Sequence, residues 1–155
     1  MTASHEYFED YEIGDRFTTS GRTIEVADIL TFAGLTGDHY PLHVDEEYAR
    51  KTQFNGRIAH GPLTFSMAVG LVALSGTYGT SVEALLGCDD LRALRPVRPG
   101  DTVHVNVEII DAQASSKPEF GKISLAYNVV NQRGESVMTF TWKVLVRRNA
   151  KSEES

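Results

Sequence analysis

The chain has 155 residues, of which 41% are hydrophobic and 23% charged, and its 15 basic and 21 acidic residues leave a formal charge of −6. That length suits one domain with a sizeable core, and the composition is that of an ordinary soluble globular protein. The negative balance argues against nonspecific nucleic-acid binding, which needs clustered positive charge, and the single cysteine excludes an internal disulfide framework.

The N-terminus through Asp10 is polar and acidic, the reverse of a signal peptide, and its first handful of residues reads as unstructured. Val26–Thr36 carries Val26, Ile29, Leu30 and Ala33 at helical spacing, with Gly37 to end the helix. Residues 45–51 predict a short helix. Asp45 caps it, Glu46 and Glu47 sit at the positive end of its dipole, and Arg50 and Lys51 at the negative end. Residues 62–75 are apolar on almost every side, with Pro62 tolerated in the first turn and Gly76 able to stop the helix, so a buried helix is expected. Its most apolar run, residues 65–74, falls far short of the roughly 20 residues that span a bilayer. No membrane segment is expected, and the expected compartment is the cytoplasm.

A strand of less regular pattern is expected within residues 82–97. Beyond it the period is two: Val103, Val105, Val107 and Ile109; then Ile123, Leu125, Tyr127 and Val129; then Met138, Phe140, Trp142, Val144 and Val146. Pro99-Gly100, residues 115–118 and residues 131–134 supply the turns. The pattern predicts an antiparallel meander needing one covered face. The expected assembly is an α+β domain over residues 8–147, one buried helix wrapped by a curved antiparallel sheet. Residues 148–155, short, polar and charged, are expected to form a disordered tail.

The segment that carries chemistry is residues 32–49. It places Asp38 and His43 between two helices, with Pro41 stiffening the connecting loop. An acid and an imidazole so held can grip one water from two sides, and histidine titrates near neutrality. The pair can therefore take a proton from water and return one to a substrate carbon. A plainer role stays open: Asp38 caps its own turn and His43 packs in the loop. His39 and His43 would form a metal pair only on a helix, which Pro41 opposes, so no metal site is expected. Cys88 precedes Asp89 and Asp90, whose charges raise a thiol pKa and make it a poor nucleophile. The chain has no Gly-rich phosphate loop or dinucleotide fingerprint.

This segment resembles the hydratase motif of the MaoC-like family, the (R)-specific enoyl-CoA hydratases and related acyl dehydratases. The match falls on Gly37, Asp38, Pro41, Leu42, His43 and Ala49, and the departure on Tyr40, where the family usually has Asn. His60-Gly61 resembles the family's His-Gly step into its central helix, and residues 94–102 resemble its strand-turn, so the likeness runs from about Phe8 to Arg147. The resemblance implies a hotdog fold, dimers that share active sites, and a CoA or acyl-carrier thioester substrate. It implies that Asp38 and His43 activate the water that adds to the β-carbon of a trans-2-enoyl thioester, giving the (3R)-hydroxyacyl thioester. It also implies that the backbone N–H of Gly61 donates to the thioester carbonyl. A helix N-terminus suits that last role, because addition builds negative charge on the carbonyl oxygen. No cofactor is implied, since the thioester already acidifies the α-carbon.

Four further residues are candidates for substrate binding, each with an alternative. Tyr40 either fills part of the acyl pocket or replaces the hydrogen bonds of the family Asn. His60 either lines the site or is structural. Ser66 either faces the site or bonds back to the preceding turn. Arg95, with Arg92 and Arg98, either binds CoA phosphates or is solvated charge. Two rival functions share the fold. A hotdog thioesterase would want a carboxylate to direct water at the carbonyl, often from the central helix, and residues 62–75 contain none. A non-catalytic acyl-CoA-binding or partner subunit is favoured by Tyr40 alone. The expected oligomer is a homodimer, which would cover an open sheet edge, with assembly beyond the dimer left open.

Overall fold

The computed structural model describes residues 5–149. A single 3₁₀ turn, Phe8–Asp10, leads into two short strands, β1 (Arg16–Thr18) and β2 (Arg22–Thr23). Four helices follow: α1 (Val26–Thr36), α2 (Pro41–Val44), α3 (Glu46–Arg50) and α4 (Gly61–Leu74). Four long strands complete the chain: β3 (Val82–Ala93), β4 (Thr102–Ala114), β5 (Phe120–Val130) and β6 (Ser136–Arg147).

All strand pairs are antiparallel, in the order β1-β4-β5-β6-β3, with β2 also on β4. The expected period of two is realised. Val103, Val105, Val107 and Ile109 of β4 and Ile123, Leu125, Tyr127 and Val129 of β5 are buried, as are Met138, Phe140, Val144 and Val146 of β6. They form one core with Leu63, Ala68, Leu71 and Val72 of α4 and with Ile29 of α1. Phe65 of α4 meets Phe140 and Trp142 of β6 at ring distances of 4.9 and 5.8 Å.

Three expectations need correction. The meander holds only for β4, β5 and β6, because β3 pairs with β6 at the far edge of the sheet. The chain then crosses to β4 through residues 94–101. That crossing is pinned by Leu94 N–H to the Val137 carbonyl and by Ala59 N–H to the Val97 carbonyl, at 2.9 and 2.7 Å. Second, α4 is not buried all round. The sheet covers Leu63, Thr64, Ala68, Leu71 and Val72, while Ser66, Gly70, Ala73 and Leu74 stay exposed, because the curved sheet meets only one face of the helix. Third, Arg148 and Asn149 are not loose: the Arg148 guanidinium and the Asn149 N–H both donate to the Glu9 carboxylate at 2.9 Å. Residues 150–155 of the expected tail, and residues 1–4, lie outside the described residues.

Among the described residues, no helix is long and apolar enough to cross a membrane.

Candidate active site

Three local devices bring the chain to the site. Gly37 ends α1 in the left-handed region (φ 79°), a conformation glycine adopts without strain, and turns the chain towards Asp38. Pro41 then starts a new helical turn, because its fixed φ suits a first helical position. His43 therefore sits on α2, a one-turn helix, and not on the loop expected from the sequence. Asp45 caps α3 as expected, its carboxylate accepting from Tyr48 N–H at 3.0 Å.

Asp38, His43 and His60 converge. One carboxylate oxygen of Asp38 and one ring nitrogen from each histidine lie within 4.8 Å of one another. Asp38 is exposed and His43 half-buried, whereas His60 is wholly buried. Asp38 also plays its plainer role, accepting from Tyr40 N–H at 3.2 Å through Oδ1. A carboxylate has further acceptor capacity, so this turn bond and a bound water are compatible. His43 Nδ1 lies 2.8 Å from the Ile58 carbonyl oxygen. A carbonyl can only accept, so Nδ1 carries a proton, and in the neutral imidazole the lone pair is on Nε2. That tautomer is the one a general base needs.

The same inventory fixes His60. Its Nε2 lies 2.9 Å from the backbone carbonyl of Asp38 and must donate, while Nδ1 is buried without a partner. The His60 ring stacks on that of His43, with centroids 3.9 Å apart and planes 28° from parallel. Its other neighbour is Phe32, at 5.0 Å. The donor set of the trio suits holding a water and moving a proton, and it could also ligate a metal ion.

Gly61 follows at the first position of α4, where a backbone N–H has no intrahelical acceptor. A Cβ built on it would meet nothing within 4 Å, so the space beside this N–H is open. Gly61 lines two apolar cavities. One, of about 250 Å³, is shared with Phe54, Thr64, Arg95 and Val97, and the other, of about 320 Å³, with Phe65, Leu91 and Met138.

The remaining candidates separate. Tyr40 is 55% exposed, edge-on to His43 at 6.3 Å, with its hydroxyl 3.4 Å from that of Tyr48. Ser66 is not brought to the trio. Its hydroxyl donates back to the Pro62 carbonyl at 2.8 Å, and it lines a different cavity, on the open face of α4. Arg95 is exposed beside Gly61 in the smaller cavity. Arg98 instead braces the Phe54 carbonyl, and Arg92 lies on exposed β3. Desolvation and then the Asp89 charge raise the pKa of the Cys88 thiol, in the direction expected. Three contributors had no assigned role in the sequence reading: Ile58, Phe32 and Tyr48. Ile58 acts through its carbonyl and leaves no side-chain signal. Phe32 and Tyr48 stand at the two flanks of the motif, where their aromatic character was visible but their partners were not.

Comparison with known proteins identifies the family and the fold. A family model described as "MaoC like domain" matches residues 9–132. An (R)-specific enoyl-CoA hydratase of Rhodospirillum rubrum is 40% identical over 103 residues, 66% of this chain and 69% of that one. Protein MaoC of Klebsiella aerogenes is 40% identical over 102 residues, 66% of this chain but only 30% of that protein. Among solved structures, a monoamine oxidase regulatory protein from Archaeoglobus superposes with a TM-score of 0.89 at 39% identity, covering 96% of this chain and 99% of that one. A MaoC-like dehydratase from Rhodospirillum rubrum gives 0.84 at 34% identity, covering 92% and 97%. A double-hotdog protein of Mycobacterium tuberculosis gives 0.82 at 23% identity, covering 93% of this chain and 44% of that one, which identifies the fold. The sheet curled on α4 is a hotdog fold, and the chain belongs to the MaoC-like dehydratase family.

Proposed function

We propose that this protein is a hydro-lyase that reversibly adds water to a trans-2-enoyl thioester, on CoA or an acyl carrier, to give the (3R)-hydroxyacyl thioester. The observation that carries the reading is the meeting of Asp38 and His43 with His60, the residue that opens α4 immediately before Gly61. Water held between Asp38 and His43 Nε2 gives up a proton to the pair as its oxygen attacks the β-carbon. Electron density moves to the thioester oxygen, where the Gly61 N–H donates to the enolate. The pair then returns a proton to the α-carbon, so one water is added and no redox step occurs. Neither metal nor cofactor enters this sequence of steps. The (3R) outcome rests on the named relatives.

The reading includes a homodimer. β3 is exposed along almost its whole length, with Leu85, Leu86 and Leu91 each about half exposed, and such an edge invites pairing with a second copy. Sedimentation at assay concentration should give a dimer, and an active monomer would contradict this part.

The functional test is product analysis with a four-carbon trans-2-enoyl-CoA. Hydroxyacyl-CoA is the expected product. Free CoA would instead mean a thioesterase, and an unchanged substrate that still binds would mean a non-catalytic subunit.

A further inference from the structure

We propose that His60 is a positioning residue that holds both members of the acid–base pair in register with the helix N-terminus. The proposal rests on the hydration reading above and extends it to a residue that need not touch substrate. His60 is wholly buried, and each part of its ring has a separate task. Nε2–H donates to the Asp38 carbonyl at 2.9 Å, across 22 residues of sequence, and so ties the loop carrying the carboxylate to the start of α4. The ring face lies against the His43 imidazole at 3.9 Å, limiting rotation about the bond that aims Nε2. Phe32 of α1 closes the arrangement at 5.0 Å, so His60 itself has little freedom to move.

The backbone of His60 adds a third tie. His60 is the residue before Gly61, and its carbonyl accepts from Thr64 N–H at 3.1 Å, the first turn of α4. One residue, through its side chain and its backbone, therefore links the carboxylate loop, the base and the oxyanion donor, which lie on three different elements. Apart from His60, the His43 ring has one hydrogen-bond anchor, the Ile58 carbonyl, and an edge-on contact with the exposed Tyr40 ring at 6.3 Å. Misplacing a reacting group by about 1 Å can cost about 10²-fold in rate. Holding three groups at once is where such a loss would arise.

The unpartnered Nδ1 points the same way. A buried acceptor without a donor is a cost that a Phe or Leu at this position would avoid. Imidazole supplies what those residues lack, a flat ring and a donor at its far edge together.

Two replacements divide these functions. His60→Gln keeps a donor near the position of Nε2 and loses the ring. His60→Phe keeps the ring and loses the donor. Hydration of the four-carbon enoyl-CoA should show kcat falling about 10²-fold in His60→Phe with KM changed less than about threefold. In His60→Gln the loss should be recovered to within about tenfold of native, while thermal unfolding of both variants stays close to native. A purely structural His60 would instead give native kcat per folded molecule in both, and that result overturns the proposal.

A substrate-independent measurement separates this claim from the hydration reading. Imidazole nitrogen NMR of the native protein should show His43 as one tautomer with the proton on Nδ1, and His60→Ala should give a mixture. A native protein that hydrates no enoyl thioester, yet shows this tautomer change, would defeat the reading of function and leave the positioning role standing. An unchanged His43 signal in His60→Ala would defeat the positioning role.

Discussion

The two ends of α4 hold similar materials and do different work. At the C-terminal end, His5 is buried, lies tilted against Tyr11 at 4.7 Å, meets Asp15 through Nε2 at 3.4 Å, and has an unpartnered Nδ1. His60 at the N-terminal end has parallel features: a ring neighbour, here stacked, a bond through Nε2 and an unpartnered Nδ1. What differs is the company. Around His5 the partners are the buried Tyr11 and the partly exposed Asp15 carboxylate, and further phenols lie sealed in the core. Tyr78 and Tyr127 share a hydrogen bond between their hydroxyls, and burial pushes the pKa values of Tyr11, Tyr78 and Tyr127 well above the usual phenol range. Around His60 the partners are an exposed carboxylate and a half-buried imidazole, next to open space at Gly61. A set of phenols sealed in the core can only stabilise. A cluster that presents a free lone pair to an opening can also react.

The largest effects should follow from breaking the reactive end. Asp38→Asn and His43→Gln should each lower turnover by about 10²-fold or more, the scale of a positioned acid–base group, while the melting temperature stays near native. Both side chains lie at least partly exposed, outside the core cluster, so the fold has little to lose. Near-native hydration by either variant would remove the distinction between the two ends.

The opposite end should answer in stability. Tyr127→Phe deletes one hydroxyl of the buried pair and leaves that of Tyr78 without its partner, a change worth about 1–3 kcal/mol of unfolding free energy. Turnover per folded molecule should hold. Denaturant unfolding alongside the hydration assay reads both quantities, and a loss of kcat at unchanged stability would mean that the phenol pair communicates with the site.

Alkaline pH offers a milder probe of the same end. A free phenol ionises near pH 10. In the folded chain Tyr11, Tyr78 and Tyr127 hold their protons above that point, because burial disfavours the phenolate. Below about pH 10 both folded and unfolded chains keep these protons, and the stability is fully present. Above it only the unfolded chain releases them, so stability falls as pH rises. Phenolate absorbance of the folded protein should therefore stop short of the full six tyrosines until the chain unfolds. A smooth titration of all six while the fold persists would contradict the burial argument.

Which parts were legible in the sequence follows from how local their causes are. Val26–Thr36 and its Gly37 stop, the Asp45 cap and the alternation of β4, β5 and β6 depend on neighbouring residues, and they stand in the structure as the pattern predicts. β1 and β2 went unseen because three and two residues are too few to show a period. The place of β3 beside β6 was hidden for a different reason: that pairing joins residues more than 40 apart, and no local pattern encodes it. The site divides along the same line. Asp38 and His43 stand five residues apart and were readable as a pair, whereas the stacking of His60 on His43 depends on the path of the intervening chain. Ser66 was left with two roles, because its register on α4 was known but the covered face was not, and its hydroxyl takes the one that bonds back to the preceding turn.

The smallest effect concerns Tyr40, which stands at the mouth of the reactive end and has no counterpart at the sealed one. Its ring is half exposed, edge-on to His43, and leans on Tyr48 through a hydroxyl contact of 3.4 Å. An acyl chain that ran past His43 would have to pass this ring, and that path is the hypothesis under test. Tyr40→Asn removes the ring and supplies an amide with both donor and acceptor. The expected outcome is a shift of kcat/KM in favour of longer enoyl-CoAs by about tenfold or less, the scale of one or two methylene contacts in an apolar pocket. Activity on the four-carbon substrate should be nearly unchanged, because Asp38, His43 and Gly61 keep their own anchors. The measurement is kcat/KM over a series of enoyl-CoAs of increasing length, native against variant. An unchanged length profile would place the acyl path elsewhere and leave the ring as surface cover for His43. A uniform loss at every length would assign the phenol a hydrogen-bonding task, and the pairing with Tyr48 would then be the feature to break next, with Tyr48→Phe.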